Sequence, residues 1–297
     1  MRVHRFLASA WASVHGPSDP RLLLIRALEN QFAGLAISAG PRAVDWSAVA
    51  AAAADLPVEF GAVRAGNPLA EHSATAALAS AKEGERLAAR KAVEQAVLTA
   101  RTVGCPVVVF DPGVVPVLGD IEAEDLGDPA YTWSKERVDA LLARRKVGRN
   151  GALDRACREV FAVVKAFPDI RFCLSMSRSL RAVADLAALQ DLYEDLAHLR
   201  IGYWHDAALA ARRAQVGLEA QGEWLEAFAS RCGGMTLGDS SPDGCYLPPG
   251  AGGVDYGLLA SYVPRSGPPL PVVVELDMAI PPAELPGIRS CLDKHGL

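Results

Sequence analysis

The chain has 297 residues, 51% of them apolar, and a formal net charge of −5. That length accommodates one large α/β barrel or two average domains, and the acidic balance argues against a nucleic-acid binder with a broad basic face. No apolar run approaches the roughly 20 residues of a membrane span, and the six scattered cysteines form no C-x-x-C pair, which points to a reducing, cytoplasmic protein without disulfides or structural zinc.

Strand and helix signals alternate along the chain. Residues 1–14 have the basic-then-apolar order of a signal peptide, but residues 6–10 are needed as a first strand because no other segment replaces them. A helix over 22–31 and a strand over 34–38 follow. Asp45 can cap a helix over 46–55, which Pro57 ends before a strand over 58–63. Residues 83–103 form the clearest helix, with Ala89, Val93, Ala96, Ala100 and Val103 on one face and Gly104 as its stop. Residues 106–110 are continuously apolar, as a strand buried on both faces should be. The longest irregular region is 111–150, punctuated by Gly113, Pro116, Gly119, Gly127 and Pro129, with a short helix over 135–145. Beyond it come helix 153–167, strand 170–175, helix 180–198, strand 200–204, helix 224–231, strand 235–237, helix 256–262, strand 272–276 and helix 282–294.

Eight strands alternating with eight helices, without a hairpin signal, predict a parallel sheet. Eight such units in this length predict one closed (β/α)8 TIM barrel over 1–297, with no linker to a second domain and a long fourth βα loop, 111–150.

Residues 234–256 read GMTLGDSSPDGCYLPPGAGGVDY. Leu247-Pro248-Pro249-Gly250, Gly252, Val254 and Asp255 resemble the seventh βα loop of the xylose isomerase-like superfamily, which holds sugar-phosphate isomerases and epimerases and the endonuclease IV group. Residues 83–110 resemble that family's third helix and fourth strand. The resemblance implies a sugar or polyol as ligand and a divalent metal held by Glu, Asp, His and Glu from strands five to eight. The corresponding positions here carry Ser175, Asp206, Thr236 and Glu275. Leu209 and Tyr246 stand where further histidines would be, and Asp111 stands where many members have a strand-four His. Neutral hydroxyls are weak ligands for divalent cations, so no tightly bound metal is expected. Magnesium, manganese or zinc enters only if the chain is an active member.

Barrel sites gather at the C-terminal ends of strands. The candidate catalytic residues are therefore Asp206, Glu275, His205 and Asp111, and the candidate substrate-binding residues are Arg178, Asp239, Tyr246 and Trp133. Alternation along a strand sends His205 and Asp206 opposite ways, so His205 has a second reading as a packed neighbour. Asp239 has one as the cap of an Asx-turn. Arg144, Arg145, Lys146 and Arg149 read as a solvated helix end. Asp206 and Glu275 would repel each other unless something positive lies between them or one takes a proton, and ligand hydroxyls, water or a nearby Arg such as Arg178 are expected to satisfy them. The loop 111–150 is expected over the barrel mouth, with Tyr131 and Trp133 against a ligand. Three function classes follow: a carbohydrate isomerase or epimerase with a rearranged acid/base set, a catalytically inactive pseudoenzyme that binds a small molecule or partner, and a phosphodiester-cleaving relative. Neither nucleic acid nor membrane is expected as a partner, and the sequence leaves the oligomeric state open.

Overall fold

Short β-branched runs bury on both faces only when helices cover them, and the alternating pattern provides that cover. The computed structural model describes residues 3–66, 73–119, 121, 123–128, 130–242 and 244–297. Its strands are β1 (Val3–Ala8), β2 (Gly34–Ile37), β3 (Glu59–Arg64), β4 (Val107–Phe110), β5 (Arg171–Ser175), β6 (Gly202–Asp206), β7 (Cys232–Leu237), β8 (Asp239–Ser241), β9 (Gly244–Leu247) and β10 (Leu270–Val274). Eight of them close a barrel in the order β1-β10-β7-β6-β5-β4-β3-β2, and every neighbouring pair is parallel. The (β/α)8 architecture expected from the sequence is present.

The helices are α1 (Ser9–His15), α2 (Pro20–Glu29), α3 (Trp46–Ala53), α4 (Glu83–Val103), α5 (Lys135–Ala166), α6 (Leu186–Asp195), α7 (Ala207–Gln215), α8 (Gln221–Phe228), α9 (Tyr256–Ser261) and α10 (Leu285–His295). Local chemistry sets several starts. The Asp45 carboxylate accepts from the amides of Ser47 and Ala48 at the head of α3, at 3.0 and 3.1 Å. Gly104 ends α4 at φ 72°, a left-handed C-cap that a side chain would strain.

Four features depart from the sequence reading. First, the short helix 135–145 and the helix 153–167 are one continuous α5, so the connection after β4 spans 111–134. The stretch expected to separate the two helices contains Gly148 and Gly151, but each costs only about 1 kcal/mol in a helix. Packing of Val138, Leu141, Ala152, Leu153, Ala156, Val160 and Val163 outweighs that cost. Gly148 also lets residues 115–116 lie against the helix, since a Cβ there would approach the Pro116 carbonyl oxygen and the Val115 side chain at 3.1 Å. Second, the helix expected from 180 begins at Leu186, behind the Asp185 cap. The chain before it pairs instead with the β4 loop, at Val114 with Ala182 and Asp125 with Ser179. Third, α1 and α7 follow their strands directly. Asp206 caps α7 while it closes β6. Fourth, β8 and β9 form an antiparallel ribbon inside the seventh βα loop.

Two buried layers hold the barrel. Leu7, Met235, Leu237, Val272 and Val274 on the outward faces of β1, β7 and β10 pack with Trp11, Leu24, Leu259 and Leu292 of the helices. The larger cluster joins the remaining strands to α4, α5, α6 and α8 and includes Trp204 in the barrel interior. No helix among the described residues is long and apolar enough to cross a membrane.

Candidate functional site

Alternation decides what faces the barrel interior. On β6, Tyr203 and His205 point to the helices. His205 Nδ1 lies 3.0 Å from the Tyr203 hydroxyl, and Tyr203 packs on Phe228 of α8 with ring centroids 5.1 Å apart. Burial alone pushes the His205 imidazole down to about 3. The structure therefore places His205 behind the barrel wall, apart from Asp206, and its neutral ring is a packing element there.

Trp204 and Asp206 point inward. Trp204 Nε1 donates to Thr236 Oγ1 at 2.9 Å, and its ring lies over Gly234, where a Cβ would come within 2.2 Å of it. Above the indole, Arg64, Thr236, Val273 and Glu275 line a cavity of about 20 Å³, room for one oxygen atom of a water or ligand. Asp206 is fully buried and both its oxygens have partners: Oδ1 accepts from the Leu209 amide at 3.1 Å, and Oδ2 from the Tyr246 hydroxyl at 3.0 Å. Burial nonetheless raises its carboxyl above the ordinary range, against the opposing pull of Arg64. Tyr246 reaches it from a left-handed backbone, φ 61°, a conformation that costs a non-glycine residue about 1 kcal/mol and gathers at functional positions.

Glu275 follows β10 directly. Its carboxyl is 3% exposed, and its Oε1 has no hydrogen-bond partner among the described residues. Burial is the main cause that pushes it up to about 8, helped by the charge of Asp206 and opposed by that of Arg64. Arg64, at the end of β3, extends across the mouth and donates from Nη2 to Ser175 Oγ at 3.1 Å. Its guanidinium is the cation that acts on Asp206, Glu275 and Tyr246 together. The sequence reading ended the third strand one residue early and so missed Arg64. The signal was a lone charge at the C-terminal end of an apolar strand.

The fold implies a divalent metal, and the residues at its four positions do not fit one. The Ser175 hydroxyl is taken by Arg64, the Thr236 hydroxyl by Trp204, and both oxygens of Asp206 by Leu209 and Tyr246. A guanidinium already supplies the positive charge. Among the described residues no group of three or more His, Cys, Asp or Glu side chains is gathered as a ligand set.

The other candidates shape loops. Asp111 accepts from Thr75 Oγ1 at 2.8 Å and from the Gly113 amide at 3.1 Å, which ties the end of β4 to the neighbouring loop. Arg178 forks onto Asp125 at 2.8 and 2.7 Å; its charge still acts on Asp206, whereas that of Arg64 acts on both Asp206 and Glu275. Asp239 is fully buried and accepts from the amides of Ser240, Val254 and Gly250 at 2.8 to 2.9 Å. Gly252 belongs to that frame, since a Cβ there would come within 2.5 Å of the Asp239 carboxylate. Trp133 packs beside the loop's own cluster of Leu126, Val138, Leu141 and Leu180 and meets Tyr131 edge-on at 4.8 Å. The loop itself sits on the rim, where the Leu126 carbonyl accepts from Arg212 Nε at 2.9 Å. Arg145 is buried and pairs with Asp185 at 2.6 Å, and Arg149 pairs with Asp191 at 3.3 Å, so Arg145 is a structural tie and not part of the solvated helix end expected from the sequence.

No family model matches the chain, and no curated protein matches it in sequence. Solved structures do match in fold. A D-tagatose 3-epimerase-like protein superposes with a TM-score of 0.68 at 15% identity, covering 99% of this chain and 97% of that one. D-psicose 3-epimerase from Clostridium cellulolyticum H10 gives 0.67 at 12%, covering 100% and 98%. The 3-keto-D-glucoside 4-epimerase YcjR of E. coli gives 0.63 at 12%, covering 99% and 100%. The fold is that of the xylose isomerase-like sugar epimerases and isomerases.

Proposed function

We propose that this chain is a sugar isomerase-like protein that takes a small sugar or polyol at the C-terminal mouth of the barrel, with Arg64 as its fixed cation and Glu275 as its acid/base. One observation carries the reading. Glu275 is a buried carboxyl whose Oε1 has no hydrogen-bond partner among the described residues, which burial pushes up to about 8, beside a cavity the size of one ligand oxygen. A carboxyl in that state is matched to proton transfer near neutral pH. In its ionised form it can remove the proton from the carbon next to a carbonyl. The C–H electron pair then forms the carbon–carbon double bond of an enediolate, and the carbonyl electrons move to oxygen. Arg64 meets that oxygen with a preorganised positive charge, the kind of interaction that contributes several kcal/mol where charge develops. Transfer of the neighbouring hydroxyl proton to the former carbonyl oxygen, with return of the abstracted proton from Glu275 to the former carbonyl carbon, re-forms a carbonyl on the neighbouring carbon and completes an aldose–ketose exchange. Epimerisation at one carbon needs a proton delivered from the opposite face. Asp206, with both oxygens engaged, is poorly placed to supply it, so isomerisation is favoured over epimerisation. The same engagement of Asp206 favours a second reading, a pseudoenzyme that binds sugar without turning it over.

The test is deuterium exchange. The protein is incubated in D₂O with a panel of aldoses and ketoses and analysed by proton NMR and mass spectrometry. Incorporation next to the carbonyl, abolished by Glu275→Gln with binding retained, supports the isomerase. Saturable binding without exchange supports the pseudoenzyme. Neither binding nor exchange with any sugar or polyol refutes both.

A further inference from the structure

Many arginines of this chain are matched to a carboxylate. Arg86 and Arg90 hold Glu159, Arg145 and Arg149 hold Asp185, Arg178 holds Asp125, Arg181 holds Glu124, and Arg213 holds Glu219. Others, such as Arg64, Arg155 and Arg212, donate to hydroxyl or carbonyl oxygens, and three with neither kind of partner among the described residues lie together. Arg171 opens β5, Arg200 stands two residues before β6, and Arg231 directly precedes β7. β5, β6 and β7 are neighbours in the barrel, and adjacent strands run about 4.8 Å apart, so the three side chains leave one arc of the N-terminal rim. They line a cavity of about 430 Å³ on the face opposite the mouth, with Pro168, Asp169 and Ile170. Asp169, the carboxylate on that lining, is already taken: Arg101 forks onto it at 3.0 and 2.8 Å. Arg231 lies over the Tyr193 ring at 5.1 Å, which holds its plane without using a donor. Among the described residues, no carboxylate pairs with Arg171, Arg200 or Arg231.

A helix end attracts a cation through its free carbonyls, and Arg231 closes the 3₁₀ turn Ala229–Arg231. That explains one arginine. It does not explain three unmatched guanidinium groups around a single cavity in a chain of net charge −5. We infer that this cavity is a second binding site, for a small phosphate-bearing ligand. Guanidinium forks match pairs of phosphate oxygens, and three of them balance a ligand of two or more negative charges. The cavity volume falls in the small-molecule range of about 300–1,000 Å³. The acidic remainder of the surface repels long polyanions, which sets a nucleic-acid strand aside.

The experiment is calorimetric titration with sodium pyrophosphate and, separately, inorganic phosphate, at constant ionic strength set with sodium chloride. The expected result is saturable one-to-one binding, tighter for pyrophosphate. Arg171→Gln with Arg200→Gln should weaken it by about 100-fold, roughly tenfold for each charge-assisted contact removed. Both side chains are exposed, and an unchanged thermal midpoint without ligand establishes that the variant is folded. Arg158→Gln, which disrupts an exposed pair with Asp154 on α5, and Arg64→Gln at the mouth should both leave the affinity intact. Absence of saturation, equal affinity in the Arg171/Arg200 variant, heats that follow ionic strength alone, or loss of binding in Arg64→Gln would each overturn the assignment.

Discussion

Replacing Glu275 with Gln should remove a pH dependence of stability that one buried carboxyl imposes. In the folded chain this group ionises near pH 8, against an ordinary 4.5. Between those values the unfolded chain has released the proton and the folded chain still holds it. The unfolded state therefore binds fewer protons, and stability falls as pH rises across that window. At about 1.4 kcal/mol per pH unit, the whole interval amounts to about 5 kcal/mol as an upper limit. Gln keeps the shape and the neutral charge of the protonated acid, so the two proteins should be close in stability at pH 4.5. The variant should then gain steadily up to pH 8 and hold a constant advantage above it. For a chain of 297 residues, an unfolding entropy of about 2 cal/mol/K per residue converts 5 kcal/mol into about 8 °C of melting temperature. Urea and thermal unfolding of both proteins at half-unit steps from pH 4.5 to 9 measure the difference curve. Parallel stability curves would refute the reasoning, because they would mean that Glu275 ionises in the folded chain as it does in water.

Two further outcomes follow from the same site. Ser175→Glu with Thr236→His should give measurable Mn²⁺ binding by calorimetry only when Arg64→Met is added, since the guanidinium otherwise occupies the centre of the ligand set and pairs with the new carboxylate; tight binding with Arg64 intact would show that Arg64 is not the resident cation. Gly234→Ala should lower stability by about 1–3 kcal/mol through overpacking, because its Cβ would meet the fully buried Trp204 ring at 2.2 Å, and a melting temperature equal to that of the parent would show that the indole is free to move.

The sequence by itself determined the barrel. The apolar run Val107–Phe110 can only be a strand covered on both faces, the stripe of α4 can only be a helix lying on that sheet, and eight such units close. It also separated two adjacent residues of β6, since alternation sends His205 and Asp206 to opposite faces, while the closed barrel decided which of them faces the interior. Interruptions were less legible. The stretch between 145 and 153 is not expected to be helical, yet the long-range packing of α5 overrides the local preference of its glycines, about 1 kcal/mol each. The Asp239–Leu247 ribbon did carry a signal, since Asp243-Gly244 is a turn dipeptide, but its strands of three and four residues are too short to read as a hairpin from the pattern alone.

The site depended on tertiary structure because charge is not a local property. Asp206, Glu275, Arg178 and Arg64 are all charged strand-end or loop residues on paper. Folding ties Arg178 to Asp125 and sends Arg64 across the mouth to Ser175. It encloses Glu275 where no donor among the described residues reaches its Oε1 and bends Tyr246 into a left-handed conformation to satisfy Asp206. Which carboxyl keeps its proton is set by burial and by the distance to one guanidinium. Both arise from contacts between β3, β5, β6 and β10, whose residues lie far apart in the chain.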